Sequence, residues 1–317
     1  MTRFIIIRLL QALAVLAIMS FIIYALIGLM PGDPIDLMLS SNPHLTSADI
    51  TRLKALYGLD RPLLERYLAW AKAALTGDFG YSRLYLRPAL EVLFPRLANT
   101  AVLMLTSLCL AYALALPLGT MAARRPGSGF DNAVNLFCFA GISVPPFWLA
   151  LMLILVFAAT LGILPAGGIA TIGDGGFADR ATHLVLPVAT LTLASMGAHL
   201  RYIRASVIET WRQDYIRTAR AKGASERRIL AHHALRNALI PVVTVLALSF
   251  GSLFSGALIT ETMFAYPGMG KLIYDAILGN DFNLALAGLL LATTTVLLGN
   301  IAADIAYAVI DPRISYQ

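Results

Sequence analysis

Long apolar runs separated by short polar stretches dominate the chain. A helix needs roughly 20 apolar residues to cross about 30 Å of hydrocarbon at 1.5 Å per residue. Six stretches qualify: 9–30, 99–122, 133–164, 183–203, 239–264 and 284–309. The fourth is the least uniform, interrupted by Thr190, Thr192, Ser195 and His199. Pro145 and Pro146 lie inside the third and predict a bend there, because proline lacks the donor that a continuous helix uses. The pattern predicts an all-α membrane protein of six transmembrane helices in a single domain, 1–317.

The opening "MTRFIIIRLLQALAVLAIMSFIIYALIGLM" has Arg3 and Arg8 ahead of an apolar core, like a signal peptide. The apolar run is too long and no small-x-small cleavage site closes it, so it reads as an uncleaved anchor. Residues 31–97 form a polar insert with helical patterning. In "TSADITRLKALYG", Thr46 precedes Asp49 by three positions, Ile50, Leu53, Leu56 and Tyr57 share a face, and Gly58 is a stop. "DRPLLERYLAWAKAALTG" repeats this, with Asp60 as cap, Pro62 in the first turn and Gly77 at the end. Two amphipathic helices are expected.

Composition agrees with the pattern. At 58% hydrophobic and 13% charged residues, with a mean hydropathy of +0.75, the chain lies well below the roughly 25% charge of soluble domains. The net charge of +6 is concentrated in a few segments between spans, which favours membrane orientation over nucleic-acid binding. Arg124 and Arg125 occupy the loop at 124–131 and the segment 204–238 is densely basic, whereas 165–182 has only Arg180 and 265–283 only Lys271. By the positive-inside rule both termini and the segment 204–238 are cytoplasmic, and the insert 31–97 is extracytoplasmic. Cys109 and Cys138 sit in apolar runs, where a thiol behaves as a small hydrophobe, and imply neither disulfide nor metal.

Chemistry that breaks bonds finds no support. "AYPGMGKL" superficially resembles a phosphate-binding loop, but Ala265 stands at the first glycine position, Leu272 replaces the magnesium-binding hydroxyl, and no strand precedes it. His232 and His233 are adjacent, so they point to different helix faces and do not form a metal pair. No nucleophile elbow or zinc signature is present, which leaves an intramembrane protease as a weak alternative. No catalytic, metal or cofactor site is expected.

The stretch "DYIRTARAKGASERRILAHHALRNALIP", residues 214–241, stands out as basic and helix-forming in an oily chain. Asp214 can cap a helix that runs through Lys222, Gly223 can end it in the left-handed conformation, and Ser225 with Glu226 can start another leading into the fifth span. Thr218, Ala219, Ala221, Gly223 and Ala224 are small enough for close approach of another backbone, while Arg217, Arg220, Lys222, Arg227 and Arg228 would meet acidic groups. On these grounds two readings stand together: a solvated positive-inside loop, and a docking segment for a partner.

"RTARAKG" followed by "HALRNALIPV" resembles the cytoplasmic coupling segment of binding-protein-dependent ABC importer permeases, in the variant of the dipeptide and oligopeptide family. "LMPGDP", "YGLDRPLLERYLAW", "GDFGYS", "RQDYIRTARAKG", "ETMFAYPGMGKL" and the terminal "DPR" are similar to that family's first, B-type permease, so the resemblance spans essentially the whole chain. Where the general importer pattern has Glu-Ala-Ala, three residues and Gly, this chain has Arg217, Thr218 and Ala219 before Gly223, and it has Arg236 where that pattern has proline. No role of the usual glutamate is carried over.

The resemblance implies the type I ABC importer permease fold and assembly with a second, non-identical permease. It further implies two ATP-binding subunits that grip residues 217–225 (Arg217, Thr218, Ala219, Arg220, Ala221, Lys222, Gly223, Ala224 and Ser225) and an extracytoplasmic solute-binding protein. ATP and magnesium would sit on the partner subunits, and the location would be a bacterial inner membrane. Short peptides are the expected cargo, with glutathione, nickel chelates, opines or sugar-like solutes as alternatives. A stand-alone channel or secondary transporter is the other class; the chain shows no internal repeat and few charges within its spans.

The fifth span carries the remaining candidates. Ala247, Gly251 and Ser255 form one ladder of small residues and Ser252 with Gly256 another. Thr244, Ser249 and Thr260 add polarity, and Ser249, Ser252, Gly256, Thr260 and Glu261 are candidates for pathway or packing. A carboxylate near the end of a span is a functional candidate; pairing with the following loop is its structural alternative.

Overall fold

The computed structural model describes residues 2–29 and 61–310. Helices account for most of it, and the one strand-like feature among the described residues is an isolated antiparallel bridge between Tyr81 and Pro88. In chain order the helices are α1 (Thr2–Gly28), α2 (Leu63–Leu75), α3 (Ala89–Arg124), α4 (Gly129–Ser143), α5 (Pro146–Leu153), α6 (Phe177–Trp211), α7 (Asp214–Ala221), α8 (Glu226–Arg228), α9 (Leu235–Met263), α10 (Met269–Leu278) and α11 (Phe282–Ile310). Two π-helical segments interrupt them: Ile154–Thr160 continues α5, and Ile229–Ala234 joins α8 to α9.

Among the described residues, four helices are long and apolar enough to cross a membrane: α1, α3, α6 and α11. The pair α4 and α5 makes a fifth crossing if it is one span, bent by 101°. The bend falls where the two prolines predict it. Val144 is extended and Pro145 has φ −62° and ψ 136°, because the ring of a following proline excludes the helical region. The predicted fifth span coincides with α9, 29 residues long.

Boundaries depart from the apolar runs. The helix α3 begins at Ala89, inside the predicted insert, since Val92 and Leu93 bury one face before the uniformly apolar part starts. The helix α6 runs to Trp211, beyond residue 203, because Ile203 and Val207 stay buried while the other side turns polar.

The chain divides into two compact units. One comprises Met1–Ile5, Asn99–Lys271 and Val296–Gln317. Its main core joins Ala111 and Ala115 of α3, Val134 and Cys138 of α4, and Met196, Leu200, Ile203 and Val207 of α6. Small residues set the spacing: a Cβ on Gly197 would lie 2.8 Å from the Cys138 carbonyl oxygen, and one on Gly119 would lie 3.0 Å from Ile203. Cys138 is fully buried, as its apolar setting implies. A second core gathers Leu103, Ala150, Leu186, Leu191, Phe264 and Tyr266.

The other unit comprises Ile6–Ala98 and Leu272–Thr295. Here α2 lies on α1 through aromatic contacts: the Tyr67 and Ser20 hydroxyls are 2.8 Å apart, and Tyr24 and Trp70 are 5.6 Å apart. Pro62 occupies the N-cap of α2 without a side-chain cap bond, and Gly77 follows its end with φ +86°. The proposed cap Asp60 and the first amphipathic helix, 46–58, lie outside the described residues. Asp281 fixes the segment before α3, accepting from the Ser82 hydroxyl at 2.5 Å and the Leu84 N–H at 3.0 Å.

Candidate functional site

The basic segment folds as a helix, a tight turn and a second helix start. Gln213, with extended backbone, is the N-cap, so Asp214 is the first residue of α7 and not its cap. At the other end Lys222 is the C-cap and Gly223 takes φ +79°. The Ala224 N–H donates to the Ala219 carbonyl at 3.2 Å and the Gly223 N–H to the Arg220 carbonyl at 3.0 Å. These are the two bonds of a Schellman ending, and the Ala219 and Ala224 side chains pack on the core of Ile216, Ile229 and Ala234. Ser225, also extended, starts α8 with its carbonyl, which accepts from Ile229 at 2.9 Å; its hydroxyl makes no cap bond.

Arg220 is committed within the chain. Its Nε donates to Glu226 Oε1 at 2.7 Å, its Nη2 to Oε2 at 3.3 Å, and the guanidinium lies 5.9 Å above the Trp211 ring. The hydrogen bonds from Arg220 hold the Glu226 carboxyl below its usual range, and the same bonds hold the Arg220 guanidinium above its own. Arg217, Thr218, Ala221, Lys222, Gly223 and Ser225 are exposed, while Ala219 and Ala224 are half-buried. The turn rests on a small core of Ile216, Ile229 and Ala234. The Asn237 amide of α9 reaches the Tyr215 hydroxyl at 3.1 Å, and the Ser206 hydroxyl of α6 donates to the Ala238 carbonyl at 2.7 Å. Thus α7 is tied to α9 through Tyr215, and α9 in turn to α6. His232 and His233 fall in the π-helical segment, and no group of metal-binding side chains occurs among the described residues.

Glu261 has a structural role in this arrangement. It is fully buried at the end of α9. It accepts from the Thr100 hydroxyl of α3 at 2.5 Å and from the Lys271 N–H at 3.0 Å, while the Thr100 oxygen accepts from the Met269 N–H at 2.8 Å. Carboxylate and hydroxyl together occupy the N-terminus of α10, where unpaired N–H groups favour an anion. A Cβ on Gly268 would stand 2.1 Å from the Glu261 carboxylate, and one on Gly270 would stand 2.8 Å from Leu258. The glycines of "AYPGMGKL" therefore make room for a side chain of this chain. Thr260 is fully buried beside it, its hydroxyl without a hydrogen-bond partner. Ser249, Ser252 and Gly256 lie in α9, with side chains outside the described part.

Three polar arrangements were not anticipated. Asp131 of α4, 1% exposed, forms a bidentate pair with Arg204 of α6 at 2.5 and 2.7 Å. His183 anchors the loop before α6, its Nδ1 2.9 Å from the Gly167 carbonyl and its Nε2 3.3 Å from the Thr171 hydroxyl. Tyr112 and His199 meet at 3.2 Å between α3 and α6. The two charges of the first stand just outside predicted spans, in the loop 124–131 and at the start of 204–238, where a charge reads as solvated and gives no sign of its partner.

The family model described as the binding-protein-dependent transport system inner membrane component matches residues 115–316. Its companion for the N-terminal part of such membrane components matches residues 1–115. The oligopeptide transport system permease protein AppB of Bacillus subtilis (strain 168) is 38% identical over 318 residues, covering 100% of both chains. The di/tripeptide permease DppB of Pseudomonas aeruginosa (strain UCBPP-PA14) is 36% identical and the dipeptide permease DppB of Escherichia coli (strain K12) 33% identical, each covering 94% of both chains. An inward-facing structure of the MetNI methionine ABC transporter matches with a TM-score of 0.57 at 19% identity, covering 70% of this chain and 97% of that one. That likeness places the fold among type I importer permeases.

Proposed function

The chain belongs to the inner-membrane components of binding-protein-dependent transport systems, and on that premise we propose that it is the first of two permease subunits of an ATP-driven importer of short peptides. The relatives named for oligopeptides, di/tripeptides and dipeptides support the cargo. The observation that carries the role is the exposed Schellman turn at Gly223, flanked by small side chains, whose helix α7 is joined through Tyr215 and Asn237 to α9, which Ser206 links to α6. A surface of this kind passes a push from a docked partner into the bundle.

In this reading two ATP-binding subunits hold ATP and magnesium and grip residues 217–225. A second permease completes the pathway, and an extracytoplasmic binding protein delivers the peptide. The chain crosses the membrane six times, with α4 and α5 as one bent span, α9 as the fifth, and both termini cytoplasmic. Single cysteines at Asp78 and Ser225, both exposed, should respond oppositely to a membrane-impermeant thiol reagent on intact cells, with only the first labelled. Labelling of Ser225→Cys from outside overturns the orientation.

The function is tested in the reconstituted complex of both permeases, the ATPases and the binding protein. ATP hydrolysis should rise when di- to oligopeptides load the binding protein. No stimulation by a broad peptide library, with stimulation by another solute, overturns the cargo.

A further inference from the structure

We propose that Arg201 is the anchor of a cargo site that takes the terminal carboxylate of a peptide, in a cavity between α4 and α6; this rests on the peptide-import reading. The helix α6 carries two arginines one turn apart, and their situations differ. Arg204 is matched by Asp131, which also accepts from the Gly127 N–H at 2.8 Å and the Asn135 amide at 3.2 Å. Arg201 is exposed, and no carboxylate of the described residues pairs with it. Its one contact of note is with Phe139, whose ring centroid lies 5.2 Å from the guanidinium carbon.

An unmatched guanidinium on a membrane helix is costly against lipid and marks a water-filled route or an anion. The cavity beside it measures about 500 Å³ and is lined by Asn135, Phe139, Ile142, Arg201, Tyr202 and Arg204 among others. That size suits a small ligand. With the charges of Arg204 and Asp131 cancelling, one net positive charge remains, accompanied by an amide, a phenol and an apolar wall.

Peptides differ in every side chain, but each unmodified one ends in a carboxylate. An arginine fork matches a carboxylate in two parallel hydrogen bonds, and stacking on Phe139 orients the fork before the ligand arrives. Phe139 and Ile142 offer contact without shape demands, which suits varied residues. Lipid phosphate sites, by contrast, gather several cations, and this cavity has one to spare. A single anchor also releases its cargo readily, as a transport site requires.

The test uses the assembled importer in nanodiscs, free of nucleotide and binding protein. Its probes are Ala-Ala carrying a dansyl group, which has no carboxylate, on its N-terminus, and the same peptide as its C-terminal amide. The acid should bind roughly tenfold more tightly than the amide, the scale of a hydrogen-bonded charge. Arg201→Gln should erase that preference, and Arg201→Lys should keep part of it, with ATPase co-purification unchanged in both. Equal binding of acid and amide to the unaltered complex overturns the proposal, as does a preference that survives Arg201→Gln. Loss of bound anionic lipid in Arg201→Gln with the peptide preference intact overturns it in favour of a headgroup. Stimulation of hydrolysis by peptide-loaded binding protein is scored in parallel. If peptides stimulate and Arg201→Gln changes nothing, only the site fails; if no peptide stimulates, the peptide reading fails and the site with it.

Discussion

The turn at Gly223 and the corner at Gly268 both join two helices, and they are held by opposite means. At Gly223 the backbone caps itself, and a Cβ there would meet nothing within 4 Å. At Gly268 a Cβ would overlap the buried Glu261 carboxylate. Around that corner the Asn99 amide donates to the Pro267 carbonyl at 2.8 Å, and Ala265 is held at φ +47°. Both are glycine joints in sequence, yet one needs its glycine for backbone conformation and the other for space. A joint whose surroundings are complete stays fixed; one complete only in its backbone leaves its side chains for another surface.

The largest effect is expected from filling the corner. Gly268→Ala should destabilise the protein by about 3 kcal/mol or more, because the neighbour that must yield is a hydrogen-bonded carboxylate in a packed core. The measurement is the Tm of the purified chain in detergent, together with its yield. A Tm equal to that of the unaltered protein would make the two joints alike.

A smaller stability change with a larger functional one is expected at the turn. Gly223→Val forces a β-branched residue to positive φ, at roughly 1–3 kcal/mol, while no side chain obstructs it. Membrane insertion should persist, and peptide-stimulated hydrolysis and transport should fall together. Gly223→Asn, which tolerates the left-handed region, should retain more of both. Normal transport by the valine variant would mean that force does not pass through this turn.

The smallest effect sharpens the comparison at the exposed joint. Arg220 and Glu226 are about half exposed, with 42% and 51% of their side-chain surfaces accessible, and solvent screens such pairs. The Glu226 carboxyl is held below its usual range, so the pair's contribution is present above the ordinary glutamate pKa. It is lost as pH falls through the lowered one. Glu226→Gln should leave Tm at pH 7 within measurement scatter and flatten the part of its acid dependence due to this pair. A large Tm loss at pH 7 would make this joint as tightly built as the corner.

Periodicity and punctuation made the fold legible where the cause is local. Pro145 and Pro146 mark the bend because proline acts on its own and the preceding residue, and Gly223 marks the left-handed position because the motif is six residues long. What stayed hidden depends on distance along the chain. Glu261 was recognisable as a carboxylate near a span end, either functional or paired with the following loop, but Thr100 lies 161 residues away and belongs to a run that reads as plain span. Asp131 and Arg204, 73 residues apart, were visible as charges near span ends without revealing that they meet. The start of α3 and the end of α6 lie beyond the apolar runs because a helix with one buried face continues after its sequence has stopped being uniformly oily.

The hydrogen bond between Thr100 and Glu261 also has a consequence for biosynthesis. At roughly 5–20 residues per second, a ribosome takes on the order of 8–32 s to travel from the codon of Thr100 to that of Glu261. The N-terminus of α10, which the same cluster holds, is made later still. Once α3 (Ala89–Arg124) has been made, its Thr100 hydroxyl still lacks the Glu261 carboxylate until α9 is nearly finished. A nascent chain cut short anywhere before residue 261 therefore lacks this closure, whatever number of its spans have inserted.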